Sequence, residues 1–480
     1  MVLKKKRRIV FIGAAIIVAA LTVVLFALLQ EEKMPEEDFS ELSWTEAYVK
    51  LNETMSHQYA FTEWKGIRWQ ALYNKYLPQI EAAQSEDSFE DYYLALRAYI
   101  NEIPDGHVQM SHVTELDDKY IGGGFGLAVA QLDDGKAIVT WLDPSGPAKA
   151  AGLMAGDEIT EWNDRPITSA VEAVSTLFGA NSATGEVLKQ KQLAYLVRAP
   201  LGTDVKLTLS DSRSVVLTAY DDQKLSIKKN YPFTVVSEDK LMDLRDMIYG
   251  IENSDPELEG AVEMEMMDGN ILYVKLWGLI DLDPKQTGKP VSTLGLMREA
   301  VAYANENQCA GMILDIRNNV GGLDEMVAEI LGLFYEEKIL YEYQKYGDSD
   351  DLTALYIEPE SQRFDGKIIA LINSQCISSG EGVALGIKNL PNGETLGFYG
   401  TNGSFGMAGA NIIMQDGITV NYPFGQSLDK DKNIQLDSQN GIGGVSPSIR
   451  VPMTAENALR IANGEDVELE EALRILTKRE

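Results

Sequence analysis

Two apolar runs, Gly311–Ile316 and Ile368–Ile372, each end at a loop and lead into a stretch of helical pattern. Strand, loop and helix repeated in that order is the habit of an α/β sheet, which gathers functional groups at the carboxyl ends of its strands. Asn270–Trp277 (NILYVKLW) reads as another strand of the same region, which runs to Pro452. A helical tail over Ala455–Leu476 closes the chain. This leaves most of the 480 residues to other units, and the length suggests about three domains.

Upstream, Trp44 to about His112 has a helical texture. Phe89, Tyr92, Tyr93, Leu96, Ile100 and Ile103 recur at three- and four-residue spacing on one predicted helix face. Pro104-Asp105-Gly106 breaks that helix, and His107 follows the break. From Tyr120 to about Ala219 the texture is β, with short alternating stretches at Ala137–Trp141 and Val205–Leu209. The chain opens with Lys4, Lys5, Lys6, Arg7 and Arg8, then an uncharged apolar run of 21 residues, Ile9–Leu29. At 1.5 Å per residue such a run spans a hydrocarbon core of about 30 Å. The basic cluster would stay cytoplasmic and send the rest outward. A cleaved signal peptide is the competing reading. Residues 30–40 (QEEKMPEEDFS) are charged and read as a solvated stalk.

Composition narrows the chemistry. With 42 Lys+Arg against 73 Asp+Glu the net charge is −31, which makes nucleic acid an unsuitable partner, since phosphate binding needs clustered cations. Three histidines and two cysteines exclude most metal sites and any disulfide framework. No metal-ligand spacing, phosphate-cradling loop or dinucleotide fingerprint is present, so no cofactor is expected. Cys309 precedes one predicted strand and Cys376 follows another, too far apart along neighbouring parallel strands for a disulfide.

The most informative stretch is Ile368–Gly382 (IIALINSQCISSGEG). A buried strand ends, small residues turn, and a helix begins near Ser379. A serine at such a corner projects its hydroxyl outward, and the N–H groups of the next helix stabilise developing negative charge. On geometry alone Ser378 is one of several candidates, and a helix N-cap is the ordinary reading of any single serine.

Asn373–Glu381 resembles the nucleophile segment of the carboxyl-terminal processing peptidases, which share a superfamily with the tricorn-core peptidases. The resemblance makes Ser378, three residues before Glu381, the nucleophile. Gly311–Gly322 (GMILDIRNNVGG) is similar to that family's D-x-R-x-N-x-G-G strand and loop, which implies oxyanion-hole roles for the backbones of Gly321 and Gly322, with the Ser379 N–H as the other donor. Gly397–Gly409 and Gly444-Val445-Ser446-Pro447 match later family elements. Gly122–Leu127 (GGGFGL), followed by Gly146–Leu153 and Gly156–Ile159, resembles a PDZ domain. In that family such a loop offers N–H groups to a peptide carboxylate beside an added strand, here Gly124, Phe125, Gly126 and Leu127. A PDZ-like module that only packs on the core is the alternative.

The resemblance also selects a mechanism. Ser-Lys members carry a lysine in a T-F-G-K-G loop, where this chain reads Ser404-Phe405-Gly406-Met407-Ala408, and Met407 accepts no proton. Tyr59–Trp69 and Asp105-Gly106-His107 resemble tricorn-like members, whose N-terminal histidine is the general base. His107 is then the partner of Ser378, with His57 and His112 outside the motif. Those relatives place a glutamate shortly before the G-V-x-P element. Here Asp437 is the only carboxylate in the window, and it reads equally as an orienter of the imidazole or as a turn residue. Cys376, two residues from Ser378, reads as a small buried residue. A lysine from elsewhere, such as Lys388, would restore a Ser-Lys scheme.

The expectation is therefore a multidomain α+β protein. It has a cytoplasmic basic segment (1–8), a transmembrane helix (9–29), a stalk (30–40), a small helical domain (41–116), a PDZ-like β domain (117–225), an α/β peptidase core of the ClpP/crotonase-like kind (226–456) and a C-terminal helical tail (457–480). The expected activity is that of a membrane-anchored, extracytoplasmic serine endopeptidase acting on protein or peptide substrates, near their C-termini. A catalytically silent peptide binder on the same scaffold is the alternative.

Overall fold

The computed structural model describes residues 35–231, 260–281 and 291–478. The expected membrane span, Ile9–Leu29, lies outside the described residues. Among those described, no helix is long and apolar enough to cross a membrane.

The expected α/β region forms a six-stranded sheet whose strands lie side by side in chain order: Val262–Met267, Ile271–Leu276, Gly311–Asp315, Lys367–Leu371, Gly393–Gly397 and Ile449–Arg450. Only the first pairing is antiparallel. Strands in a parallel sheet are covered on both faces, which is why Ile368–Leu371 is unbroken in its apolarity. Ile368 and Ala370 face a core shared with the helices Thr293–Glu306, Asp324–Leu331 and Ser379–Lys388. Ile369 and Leu371 face the opposite way, toward the C-terminal helices Ala455–Ala462 and Val467–Thr477. Each such side chain contributes about 1.5–3 kcal/mol through burial. Asp315 and Arg317 of the D-x-R run are structural: Arg317 reaches Asp315 at 2.6 Å, Asp466 at 2.7 Å and Glu468 at 3.0 Å, clamping the C-terminal helix to the sheet.

The N-terminal unit is three helices, Trp44–Gln58, Trp69–Ser85 and Phe89–Asn101. Ser43 and Glu46 form a reciprocal capping box on the first, and Ser88 accepts the Asp91 N–H on the third. The predicted face is real: Tyr92, Tyr93, Leu96, Ile100 and Ile103 are all buried. They pack on a second six-stranded sheet, in which Glu36–Asp38, Met407–Ile413, Thr419–Leu428, Ile339–Tyr346 and Thr353–Ile357 lie in that order. Gln109–Met110, just beyond His107, pairs antiparallel with Val420 and Asn421 of that sheet. A short strand thus stitches the early segment to the late one.

The stalk requires correction. Glu36, Glu37 and Asp38 form a strand parallel to Asn411–Ile413, and Phe39 is buried. Main-chain pairing is indifferent to the acidic side chains, which stay exposed while the backbone completes the sheet edge. The β domain has the strand order Ser214–Thr218, Asp204–Leu209, Glu158–Trp162, Ala137–Leu142, Leu127–Gln131. Its core includes Phe125, Val139, Ile159, Trp162 and Leu207.

Candidate active site

Ser378 closes the corner between the strand Lys367–Leu371 and the helix Ser379–Lys388, and it does so under strain. Its φ of 58° and ψ of −139° fall in a region that side-chain-bearing residues rarely occupy. Its hydroxyl makes no capping bond to the helix, so the N-cap reading of this serine is set aside. The corner is held from two sides. The Ser378 N–H donates to Ser404 O at 3.0 Å, and the Ile377 N–H donates to Asn319 O at 3.2 Å. Asn373 Oδ1 accepts from Asn318 N at 3.0 Å and Gln375 N at 3.1 Å, latching the glycine loop to the serine loop.

Gly321 lies against Ser378, and Gly322 lies against Leu279. A Cβ on Gly321 would stand 2.6 Å from Ser378 Cβ, and one on Gly322 would stand 2.2 Å from Leu279 O. Both have positive φ, at 81° and 144°, so only glycine fits. The Gly321 N–H, however, donates to Asn319 Oδ1 at 2.9 Å. This corrects its role as an oxyanion donor: a side-chain amide two residues back already satisfies it. Gly322 and Ser379 remain the candidate pair, joined by a 2.8 Å bond from Ser379 Oγ to Gly322 O.

His107 comes to the same corner although 271 positions separate it from Ser378. The Gly106 N–H donates to Ser404 Oγ at 2.8 Å, so Ser404 is gripped by the histidine loop through its hydroxyl and by Ser378 through its carbonyl. A Cβ on Gly106 would lie 3.1 Å from Ile377 Cδ1. No hydrogen bond joins Ser378 Oγ to the imidazole, a contact that tightens when substrate enters such a site. Burial pushes the His107 pKa down to about 4; Asp105 opposes the shift and Lys65 reinforces it. The ring is therefore neutral at pH 7, the form a general base requires. Its Nδ1 is buried without a hydrogen-bond partner.

The structure does not bring Asp437 to that ring. Its Oδ2 accepts the Phe405 N–H at 3.2 Å and its Oδ1 lies 3.6 Å from Lys65 Nζ. Burial, with Asp105 and Glu381 nearby, holds its carboxyl pKa well above the usual range against the pull of Lys65. The ionised carboxylate beside His107 is Asp105. Burial raises its pKa, but Lys65, His107, the Tyr59 hydroxyl at 2.7 Å and the His107 N–H at 2.9 Å together outweigh burial and bring it below the usual value. Lys65, Asp105 and Ser404 are the participants that sequence reading missed. Lys65 and Asp105 lie inside the quoted Tyr59–Trp69 and D-G-H segments, but no local pattern gives either a partner.

Rival groups are engaged elsewhere. His112 pairs with Asp117, and His57 Nδ1 lies 2.7 Å from Glu53 O. Burial holds the Cys376 thiol well above its ordinary pKa, so it is no nucleophile. Lys388 sits at the far end of the helix that Ser378 begins, donating to Ser446 O at 2.7 Å, about 15 Å along the axis. Met407 is buried at the start of a strand. Glu381, one turn into the helix, accepts from Thr401 Oγ1 at 2.5 Å, Gly403 N at 2.8 Å and Ser404 N at 2.9 Å, fixing the Ser404 loop. Burial lifts its pKa to about 7.

The proposed peptide-binding loop is partly closed. The Gly124 N–H donates to Tyr220 O at 2.9 Å, which corrects its role as a carboxylate donor, because the sheet has already satisfied it. Phe125 is buried against Trp162, and Gly126 O accepts the Asp143 N–H. Leu127 pairs with Leu142 in the sheet. Leu127–Gln131 is the edge strand to which a peptide would add, and Asn230 Oδ1 already accepts the Val129 N–H there at 3.1 Å.

Comparison with known proteins bears on the family and the fold. Residues 270–451 match the model of peptidase family S41, residues 40–92 the tricorn protease C1 domain, and residues 115–188 the PDZ domain. No curated protein matches significantly. Among solved structures, mature CPAF has 13% identity and a TM-score of 0.62, over 91% of this chain and 96% of that one. CPAF complexed with lactacystin gives 13% and 0.59, over 91% and 97%. A putative peptidase from Parabacteroides merdae gives 17% and 0.51, over 91% and 98%. At these identities the likeness is one of fold.

Proposed function

Because the chain is a serine-type peptidase with an S41 core, a tricorn C1 segment and a PDZ domain, we propose that it is an endopeptidase of the Ser-His kind. Ser378 Oγ attacks the scissile carbonyl carbon while its proton passes to the neutral His107 imidazole. The N–H groups of Gly322 and Ser379 receive the tetrahedral oxyanion. His107 returns the proton to the leaving amine, and an acyl-serine remains. Water, deprotonated by the same imidazole, then releases the acid and restores the hydroxyl. Asp105 stabilises the transient imidazolium.

The observation that carries this reading is the double grip on Ser404, whose carbonyl accepts from Ser378 N and whose hydroxyl accepts from Gly106 N. It joins the nucleophile loop to the base loop. Substrates are peptides or proteins, with the PDZ domain offering C-terminal tails to the cleft. The run Ile9–Leu29 behind five basic residues supports anchoring in the cell membrane with the bulk of the chain outside the cytoplasm. A fluorophosphonate probe tests the chemistry. Labelling should occur in the folded protein and disappear in Ser378→Ala and His107→Ala. Absence of labelling in folded wild type would favour a silent peptide-binding scaffold, and labelling that survives His107→Ala would end the Ser-His reading.

A further inference from the structure

We propose that Lys65 is a positioning residue for this reaction, its ammonium clamped between Asp105 and Asp437 so that the His107 loop is held against the Ser378 loop. The inference rests on the Ser378–His107 reading and adds the device that assembles it.

Lys65 follows the first helix in a short turn, with its N–H bonded to Phe61 O at 2.9 Å. Its side chain is only 1% exposed, and Nζ lies 3.6 Å from both Asp105 Oδ2 and Asp437 Oδ1. It also donates to Pro104 O at 3.1 Å and Ser438 Oγ at 3.2 Å, and it lies over the Phe61 ring at 5.6 Å. Two of these contacts belong to the segment that ends at His107. Two belong to the late loop in which Asp437 caps the Phe405 N–H, next to the Ser404 carbonyl that holds Ser378 N. A single cation therefore bridges the base side and the nucleophile side. A buried ammonium is costly unless compensated, and so is a buried carboxylate. Neither loop can withdraw without leaving one of them unpaired. Multiple donors on a compact point charge suit this better than a planar guanidinium would.

The charged and titratable groups facing Lys65 are Asp105, Asp437 and Glu381, with Tyr59 and His107 joined through Asp105. Without the ammonium both aspartates would be driven toward their neutral forms, and Asp105 could support the imidazolium only at higher pH. Positioning and protonation state thus share one cause.

The test uses the folded chain and the rate of fluorophosphonate labelling across pH, together with hydrolysis of an internally quenched peptide mixture. Lys65→Met should lower kcat 10- to 100-fold with KM changed less than about twofold, and should move the acidic limb of the labelling rate up by at least one pH unit. A residue with a purely structural role would reduce the folded fraction without moving that limb. Lys65→Gln carries the same readouts where Lys65→Met does not fold. A folded variant with wild-type kcat and an unmoved limb overturns the proposal. If wild type itself neither labels nor hydrolyses, it is the Ser-His reading that fails, so the two failures are distinguishable.

Discussion

Burial of His107 makes a quantitative claim about pH. An ordinary imidazole, with pKa near 6.5, is about 3% neutral at pH 5, whereas one near 4 is about 90% neutral. The labelling rate of Ser378 at pH 5 should therefore be about 30-fold higher than an ordinary histidine base allows. The acidic limb should lie near pH 4. The same shift has a stability consequence of fixed sign. The unfolded chain takes up a proton near pH 6.5 and the folded chain only near 4, so in that window the unfolded state binds more protons and stability falls as pH falls. The loss is about 3 kcal/mol on reaching pH 4, at about 1.4 kcal/mol per pKa unit. Stopped-flow labelling with a fluorophosphonate gives the limb, and urea melts at pH 7 and pH 4, compared with those of His107→Gln, isolate the histidine's share. Glu381, with a pKa near 7, is the group that could imitate a higher limb, so Glu381→Gln is the control. A limb at 6.5 or above that persists in Glu381→Gln refutes the reasoning.

Three other outcomes follow from contacts already described. Gly321→Ala puts a Cβ 2.6 Å from Ser378 Cβ at a φ of 81° and should reduce labelling at least 100-fold in a chain that still elutes as folded protein. Ser404→Ala removes the acceptor of a buried N–H, at a cost of about 1–3 kcal/mol. It should lower kcat more than it raises KM, read with the quenched peptides. Asn230→Ala frees the Val129 N–H at the PDZ edge, and by the worth of one hydrogen bond should strengthen binding of a fluorescein-labelled peptide with a free carboxylate up to about tenfold in anisotropy titrations.

Much of the core was legible because burial writes itself into composition. Ile368–Leu371 is apolar because both faces of its sheet are covered, and Tyr92, Tyr93, Leu96 and Ile100 share a helix face because one side packs. Ser378 needed a motif, since a strained corner has no signature apart from the small residues around it. The strand Glu36–Asp38 was not legible: three acids carry no strand preference, and the pairing partner lies some 375 residues away. Nor was the use of Gly321 and Gly124. A glycine-rich loop promises free N–H groups, but Asn319 Oδ1 and Tyr220 O, which take them, are set by tertiary placement. Lys65 was hidden for the opposite reason. One lysine among 42 basic residues is ordinary until its burial between two carboxylates is seen.

The separation of Ser378 from His107 in sequence also bears on how the site is assembled. Three long-range ties join the His107 loop to the Ser378 side of the site: strand pairing of Gln109–Met110 with Val420–Asn421, the Gly106–Ser404 bond, and the Lys65 clamp. Each tie joins residues before 111 to residues after 403. Each closes a loop of about 300 residues or more, and the entropy of that closure opposes the meeting of the two loops. Cleavage at a protease site engineered between the β domain and the first strand of the sheet offers a direct measure. If the ties alone hold the base in place, the nicked but associated protein keeps its labelling rate. Loss of labelling on nicking, with the fragments still bound, would mean that chain continuity itself maintains the site.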